Sequence, residues 1–254
     1  DPDWSDGAGY EEVRWLEQSI PSLNGDPQND AMGNFCFALG IDPNGGSDPF
    51  SDAVTWGDPA WIYNGYDARL VDAKGAKKLG IEHTRDRMVG RGVLLDVARH
   101  KGVDWLEDGY PITNADLDST AEAQGVEVRR GDFVIVRTGQ QERCLASGDW
   151  TGYAGGDAPG LAFETCYWVR EREIAGICAD TWGCEVRPNE TDEANQPWHW
   201  VVIPAIGISM GEIFYVKELA EDCAEDGVYE FFFSAPPLHI PGAAGSPINP
   251  QAIK

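Results

Sequence analysis

Three short apolar runs, each bounded by glycine or polar residues, decide what this chain can fold into. They are Gly92-Val93-Leu94-Leu95-Asp96-Val97, the stretch 131–139 built on Phe133-Val134-Ile135-Val136, and residues 174–179, which end at Asp180. Runs this short read as strands buried on both faces. Helical text lies between and after them. Thr113 caps a helix that runs to about Gln124, with Asp116 three residues on and Gly125 past its end. Residues 163–173 read as a second helix, and residues 217–226 as a third with Gly227 as its stop. Residues 229–234 read as an aromatic strand, whereas 200–208 is apolar and fits either a strand or a buried helix. Strands alternating with helices predict an α/β domain.

The ends of the chain are different in texture. Residues 1–60 are rich in Asp, Gly, Pro, Asn and Ser, as in Asn24-Gly25-Asp26-Pro27, and predict loops around one short helix at 11–18. Residues 235–250 form a Pro/Gly-rich extended tail. At 254 residues the whole chain, 1–254, is expected to be one domain, with 1–60 as a loop-rich segment wrapped around a core and arm formed by 61–254. No repeat recurs along it. No apolar run is long enough to cross a bilayer, and no leader opens the chain, although its start at Asp1 is compatible with one having been removed. These features predict a soluble protein with no membrane partner.

Charge narrows the function. Nineteen Lys and Arg against 43 Asp and Glu give a net charge of −24, and the densest cationic runs (Arg129-Arg130 and Lys74 with Lys77-Lys78) are short. A phosphate backbone would be repelled, so nucleic acid is excluded as a partner. The six cysteines include no CxxC pair and lie in apolar or helix-like text, which predicts reduced, mostly buried thiols and a cytoplasmic location.

No GxSxG, P-loop or GxGxxG pattern is present, so serine-hydrolase and nucleotide-binding readings lack support. Of the four histidines, His83 and His100 sit in polar or loop text and His239 in the proline-rich tail. His199, in Gln196-Pro197-Trp198-His199-Trp200, precedes an apolar stretch that Gly211-Glu212 follows. The pair reads either as metal ligands or as a satisfied core histidine beside a capping or paired acid. Asp180 and Trp182 follow the third strand, at the end that faces the ligand crevice in α/β folds. They read as pocket residues or as a turn with a packed indole. Asp96, inside an apolar strand, must be hydrogen-bonded or functional.

The ordered set Tyr63-Asn64-Gly65-Tyr66, Gly80-Ile81-Glu82, Arg91–Ala98, Gly131–Gly139, Asp180-Thr181-Trp182-Gly183 and His199 with Gly211-Glu212 resembles the cyclase family of metal-dependent hydrolases, which includes kynurenine formamidase-like and isatin hydrolase-like enzymes. The resemblance implies a single α/β domain of the swivelling α/β/β type, assembled as a homodimer or homotetramer. It also implies hydrolysis of a small amide, ester or lactone with a divalent metal, zinc or manganese. On the family pattern His199 and Glu212 form the C-terminal half of the metal site. The chain departs from that pattern at the HxGTHxDxPxH signature: residues 46–60 contain no histidine. One alignment puts Asp52 at the motif's aspartate as a ligand and Trp56 at the catalytic histidine; the other leaves the signature absent between Trp56 and Gly57. Asp180, Trp182 and Trp56 are the expected substrate contacts. Against the hydrolase stand a non-catalytic homologue that keeps the fold, and metal-free acid–base chemistry by Asp52, Asp180 and Glu212.

Overall fold

The computed structural model describes residues 61–72 and 75–254. Asp52, Trp56, Cys36, the helix expected at 11–18 and the wrapping of 1–60 lie outside the described residues. The three apolar runs form the middle of a mixed sheet: β1 (Val89–Asp96), β2 (Phe133–Arg137) and β3 (Gly176–Ala179). β4 (Ser209–Gly211), β5 (Glu230–Ser234) and β6 (Gln251–Ile253) complete it, in the order β4-β3-β2-β1-β5-β6. The pairs β4–β3, β3–β2 and β2–β1 are parallel, whereas β1–β5 and β5–β6 are antiparallel. The α/β architecture expected from the alternation is therefore the one found.

Side chains alternate across this sheet, as the pleat requires. Val93, Leu95, Val134, Val136, Ile177 and Ala179 face one core with Leu117, Trp168, Val169, Trp198 and Val202. Leu94, Phe133, Ile135 and Cys178 face the other with Phe214, Val216, Ala220, Phe231 and Phe233. Burial of each such aliphatic side chain contributes about 1.5–3 kcal/mol. α1 (Asn114–Gln124) has the predicted capping box between Thr113 and Asp116 and ends at Gly125. After α2 (Gln140–Ser147), the second expected helix is α3 (Thr165–Arg172): it starts two residues later than read from the sequence and closes at Glu173, which turns left-handed (φ 49), within one residue of the expected end. The third strand begins at Gly176 rather than 174, and Ala175 just before it already donates across to the Asp132 carbonyl (2.8 Å), beside the first ladder pair with Phe133.

The ambiguous stretch 200–208 is helical as far as Ile206. α4 (Pro197–Val201) runs into a π-helical turn, Val202–Ile206. Pro204 has no N–H for a regular helical bond, and Gly207, at φ 82, donates back to both Val202 and Ile203. α5 (Lys217–Asp226) ends at Gly227 as read from the sequence. The tail beyond Ser234 folds back on its own chain. Ala76 and Ile81 donate to the carbonyls of Gly242 and Ala243, and residues 251–253 add the edge strand β6. Among the described residues no helix is long and apolar enough to cross a membrane, and the five described cysteines are buried free thiols.

Candidate functional site

Parallel strands β2 and β3 end at polar residues, and the site is built beyond them. Asp180 follows β3 and is fully buried. Its carboxylate accepts from Thr138 N (2.8 Å), Thr138 Oγ1 (2.7 Å) and Gly139 N (2.7 Å). Burial pushes its pKa up to about 6 against those donated bonds. Asp180 thus braces the loop between β2 and α2. Trp182 packs with Cys144, Tyr153 and Ala158, donates Nε1–H to the Gly156 carbonyl (3.0 Å) and lies under the Arg187 guanidinium. Both residues expected to line a pocket are buried, with their polar atoms already engaged within the chain. Asp96, left open between structure and function, is structural: it pairs with Arg137 (2.7 Å) and caps the helical turn that follows β1 by accepting from Arg99 N (3.0 Å).

The chemistry-bearing group gathers one turn further on. Glu185 is buried at the end of the loop after Trp182. Its carboxylate accepts from Asn189 Nδ2 (3.0 Å), from the backbone N–H groups of Trp198 (3.4 Å) and His199 (3.2 Å), and faces His199 Nδ1 in a short contact. The two backbone donors are the free N–H groups in the first turn of α4, where Pro197 starts the helix without needing one. The other ring nitrogen, His199 Nε2, lies 3.3 Å from Glu212 Oε1. Glu212 follows β4, and Gly211 makes its approach possible: a Cβ there would sit 2.8 Å from Cys178 Sγ and from the Phe214 ring.

The structure therefore brings His199 and Glu212 together, and adds a residue that motif reading missed. Glu185 has no motif around it. Its signal is a lone charge in the otherwise uncharged run Trp182-Gly183-Cys184-Glu185-Val186. Burial alone would push the His199 pKa down, but hydrogen bonding to Glu185 and then to Glu212 outweighs it, and the value rises to about 9. His83, His100 and His239 stay outside this group, on exposed partners such as Ser119 and Arg85.

As a metal site the group fits in kind. Nε2 and Oε1 are close enough to share one ion, and Glu185 behind Nδ1 is the carboxylate support that metal-binding histidines use. It supplies two donors, however, and a catalytic zinc has about three from the protein. Among the described residues no three His, Cys, Asp or Glu side chains group to hold an ion.

Residues 65–186 match a family described as putative cyclase. That span includes Asp180, Trp182 and Glu185, and stops before His199 and Glu212. A crystal structure of a novel cyclase shares 35% identity, with a TM-score of 0.68 over 79% of this chain and 65% of that one. Isatin hydrolase A from Labrenzia aggregata, bound to benzyl benzoate, shares 19% identity with a TM-score of 0.54 over 67% of this chain and 63% of its own. Isatin hydrolase A from Ralstonia solanacearum shares 19% identity, also at 0.54, over 69% of this chain and 64% of its own. The chain thus spans slightly less than two thirds of the length of each of these proteins. No curated protein matches it.

Proposed function

We propose, from its similarity to the cyclase family over residues 65–186, that this chain is a metal-dependent hydrolase of a small amide, ester or lactone. The observation that carries the reading is the Glu185–His199–Glu212 group. Glu185 orients the imidazole so that Nε2, the outer nitrogen, is aimed at Glu212. His199 and Glu212 would hold one divalent ion, zinc or manganese, with Asp52 a further ligand from outside the described residues. When bound, such an ion lowers the pKa of a water and polarises the scissile carbonyl. The chain's own residues bind and orient: Nε2 and Oε1 converge on one point, Asp180 fixes the adjacent loop, and Trp182 closes the wall behind it. Trp56 completes the proposed substrate contacts, and the five described free thiols support a reducing, cytoplasmic setting. A homodimer or homotetramer is part of the same proposal.

A second reading, a non-catalytic homologue, is favoured by one observation, the lack of any histidine before His83. Metal binding separates the two. After exhaustive dialysis, the hydrolase reading expects zinc or manganese to bind the wild-type chain, and His199→Ala to weaken binding at least about tenfold. Binding that is undetectable, or that His199→Ala leaves unchanged, would favour the non-catalytic homologue.

A further inference from the structure

Glu185 orients the His199 ring only as firmly as Glu185 is itself held. Its carboxylate accepts four donations: Asn189 Nδ2 (3.0 Å) and Trp198 N (3.4 Å) at Oε2, and His199 N (3.2 Å) and His199 Nδ1 at Oε1. Four donors fill the lone-pair directions of a carboxylate, so the proton of the short contact belongs to Nδ1. Three of these donors come from α4, a helix of five residues that is too short to hold its own shape. Asn189 supplies the fourth from outside the helix. Its amide is fully committed: Oδ1 accepts from Gln196 N (2.9 Å) and Arg187 Nη1 (2.9 Å), while Nδ2 also donates to the Val186 carbonyl (3.1 Å). Turning that amide over would set donor against donor and acceptor against acceptor at every contact, so its orientation is fixed. Among the described residues the next best-connected amides, Gln124 and Gln140, make two bonds each. Gln196, left-handed at φ 51, offers α4 no side-chain cap, so Asn189 also closes the chain onto the helix start. Behind Asn189 stands Arg187. Its half-buried guanidinium lies over the Trp182 ring and, among the described residues, bonds two neutral amides, Asn189 and Asn195 (2.5 Å), and no carboxylate. A cation on Oδ1 polarises the amide and strengthens its donation to Glu185.

We propose that Asn189 is a positioning residue: acting through Glu185, its amide holds the His199 imidazole with Nε2 turned towards Glu212. The consequence for catalysis rests on the hydrolase reading, whereas the position of the ring is measured without it.

The test separates donation to Glu185 from closure of the loop. Asn189→Asp keeps an acceptor for Gln196 N and Arg187 but loses the donor, and sets a second carboxylate against Glu185 Oε2. Asn195→Ala removes the other Arg187 contact and leaves Asn189 in place. The readout is the His199 Nδ1–H resonance of the metal-free full chain in proton–nitrogen NMR spectra, assigned by its disappearance in His199→Ala. His83, His100 and His239 are exposed, so their ring protons exchange with water. Wild type and Asn195→Ala should show the resonance at one position. Asn189→Asp should shift it or lose it to exchange, while melting within about 2–4 °C of wild type. Zinc or manganese should bind Asn189→Asp about tenfold more weakly, and where turnover is seen kcat should fall by a similar factor with KM level. Should Asn189→Asp fail to fold, Asn189→Ala is read in the same way. An unchanged resonance in the Asn189 variant would overturn the proposal, as would a wild type without the resonance. An equal change in Asn195→Ala would also overturn it, because loop closure would then be the cause. A chain that binds no metal and hydrolyses nothing removes the hydrolase reading, whereas a resonance altered in the Asn189 variant alone leaves the positioning role standing.

Discussion

Asp96 and Arg137 are direct neighbours across β1 and β2, and both are almost wholly buried. Two charges are tolerated there because Arg137 also reaches Glu142 (2.7 Å) and Asp96 also takes Arg99 Nε (3.0 Å). Arg137→Ala leaves Asp96 without its buried partner and should cost about 3–5 kcal/mol, read as a shift in the urea midpoint. Loss below about 1 kcal/mol would show that Arg99 alone satisfies the carboxylate. At this scale the sequence was only partly legible. It left His199 and Glu212 open between metal ligands and a satisfied core histidine beside a capping or paired acid, because an acid and a histidine bracket an apolar stretch. It did not show Glu185, whose role depends on a loop returning beneath α4, a contact with no local pattern. Nor did it show that Asp180 and Trp182 spend their polar atoms on Thr138, Gly139 and Gly156, since those partners are distant in sequence.

Elements were read best where local chemistry fixes their ends. α1 is bounded by Thr113 and Asp116 at one end and Gly125 at the other, and α5 by Gly227, as expected from the residues themselves. Thr113→Ala removes the hydroxyl that accepts from Asp116 N and should cost about 1 kcal/mol, measured by chemical denaturation. No change would mean that the Asp116 side chain holds the helix start unaided. The start of α3 was read two residues early, at 163 rather than Thr165, while its end was read to within one residue of the left-handed Glu173 that stops it. Residues 200–208 could not be assigned because their apolar content suits strand and buried helix alike. The π-helical turn follows from Pro204 and Gly207 acting together, after the helix has been started by Pro197 and anchored by Glu185.

At the scale of the whole molecule, two apolar faces of one sheet dictate the fold, and that alternation was plain in the sequence. The assembly is governed by a different balance. A net charge of −24 opposes association of copies, while the edge strand Gln251–Ile253 and the exposed Phe232 and Ile253 favour it. Light scattering near physiological salt should return a multiple of 27.8 kDa. The associated fraction should fall as salt is lowered and the Debye length grows from about 8 Å towards about 30 Å. A mass of one chain throughout would remove the proposed dimer or tetramer. The central claim concerns what the molecule does. It is tested most directly by the rate of hydrolysis of small amides, esters and lactones with zinc or manganese supplied, wild type against His199→Ala. The account predicts metal-dependent turnover by the wild type and a loss of about a hundredfold or more in the variant. Absence of turnover in the wild type, or equal rates in the two proteins, would contradict it.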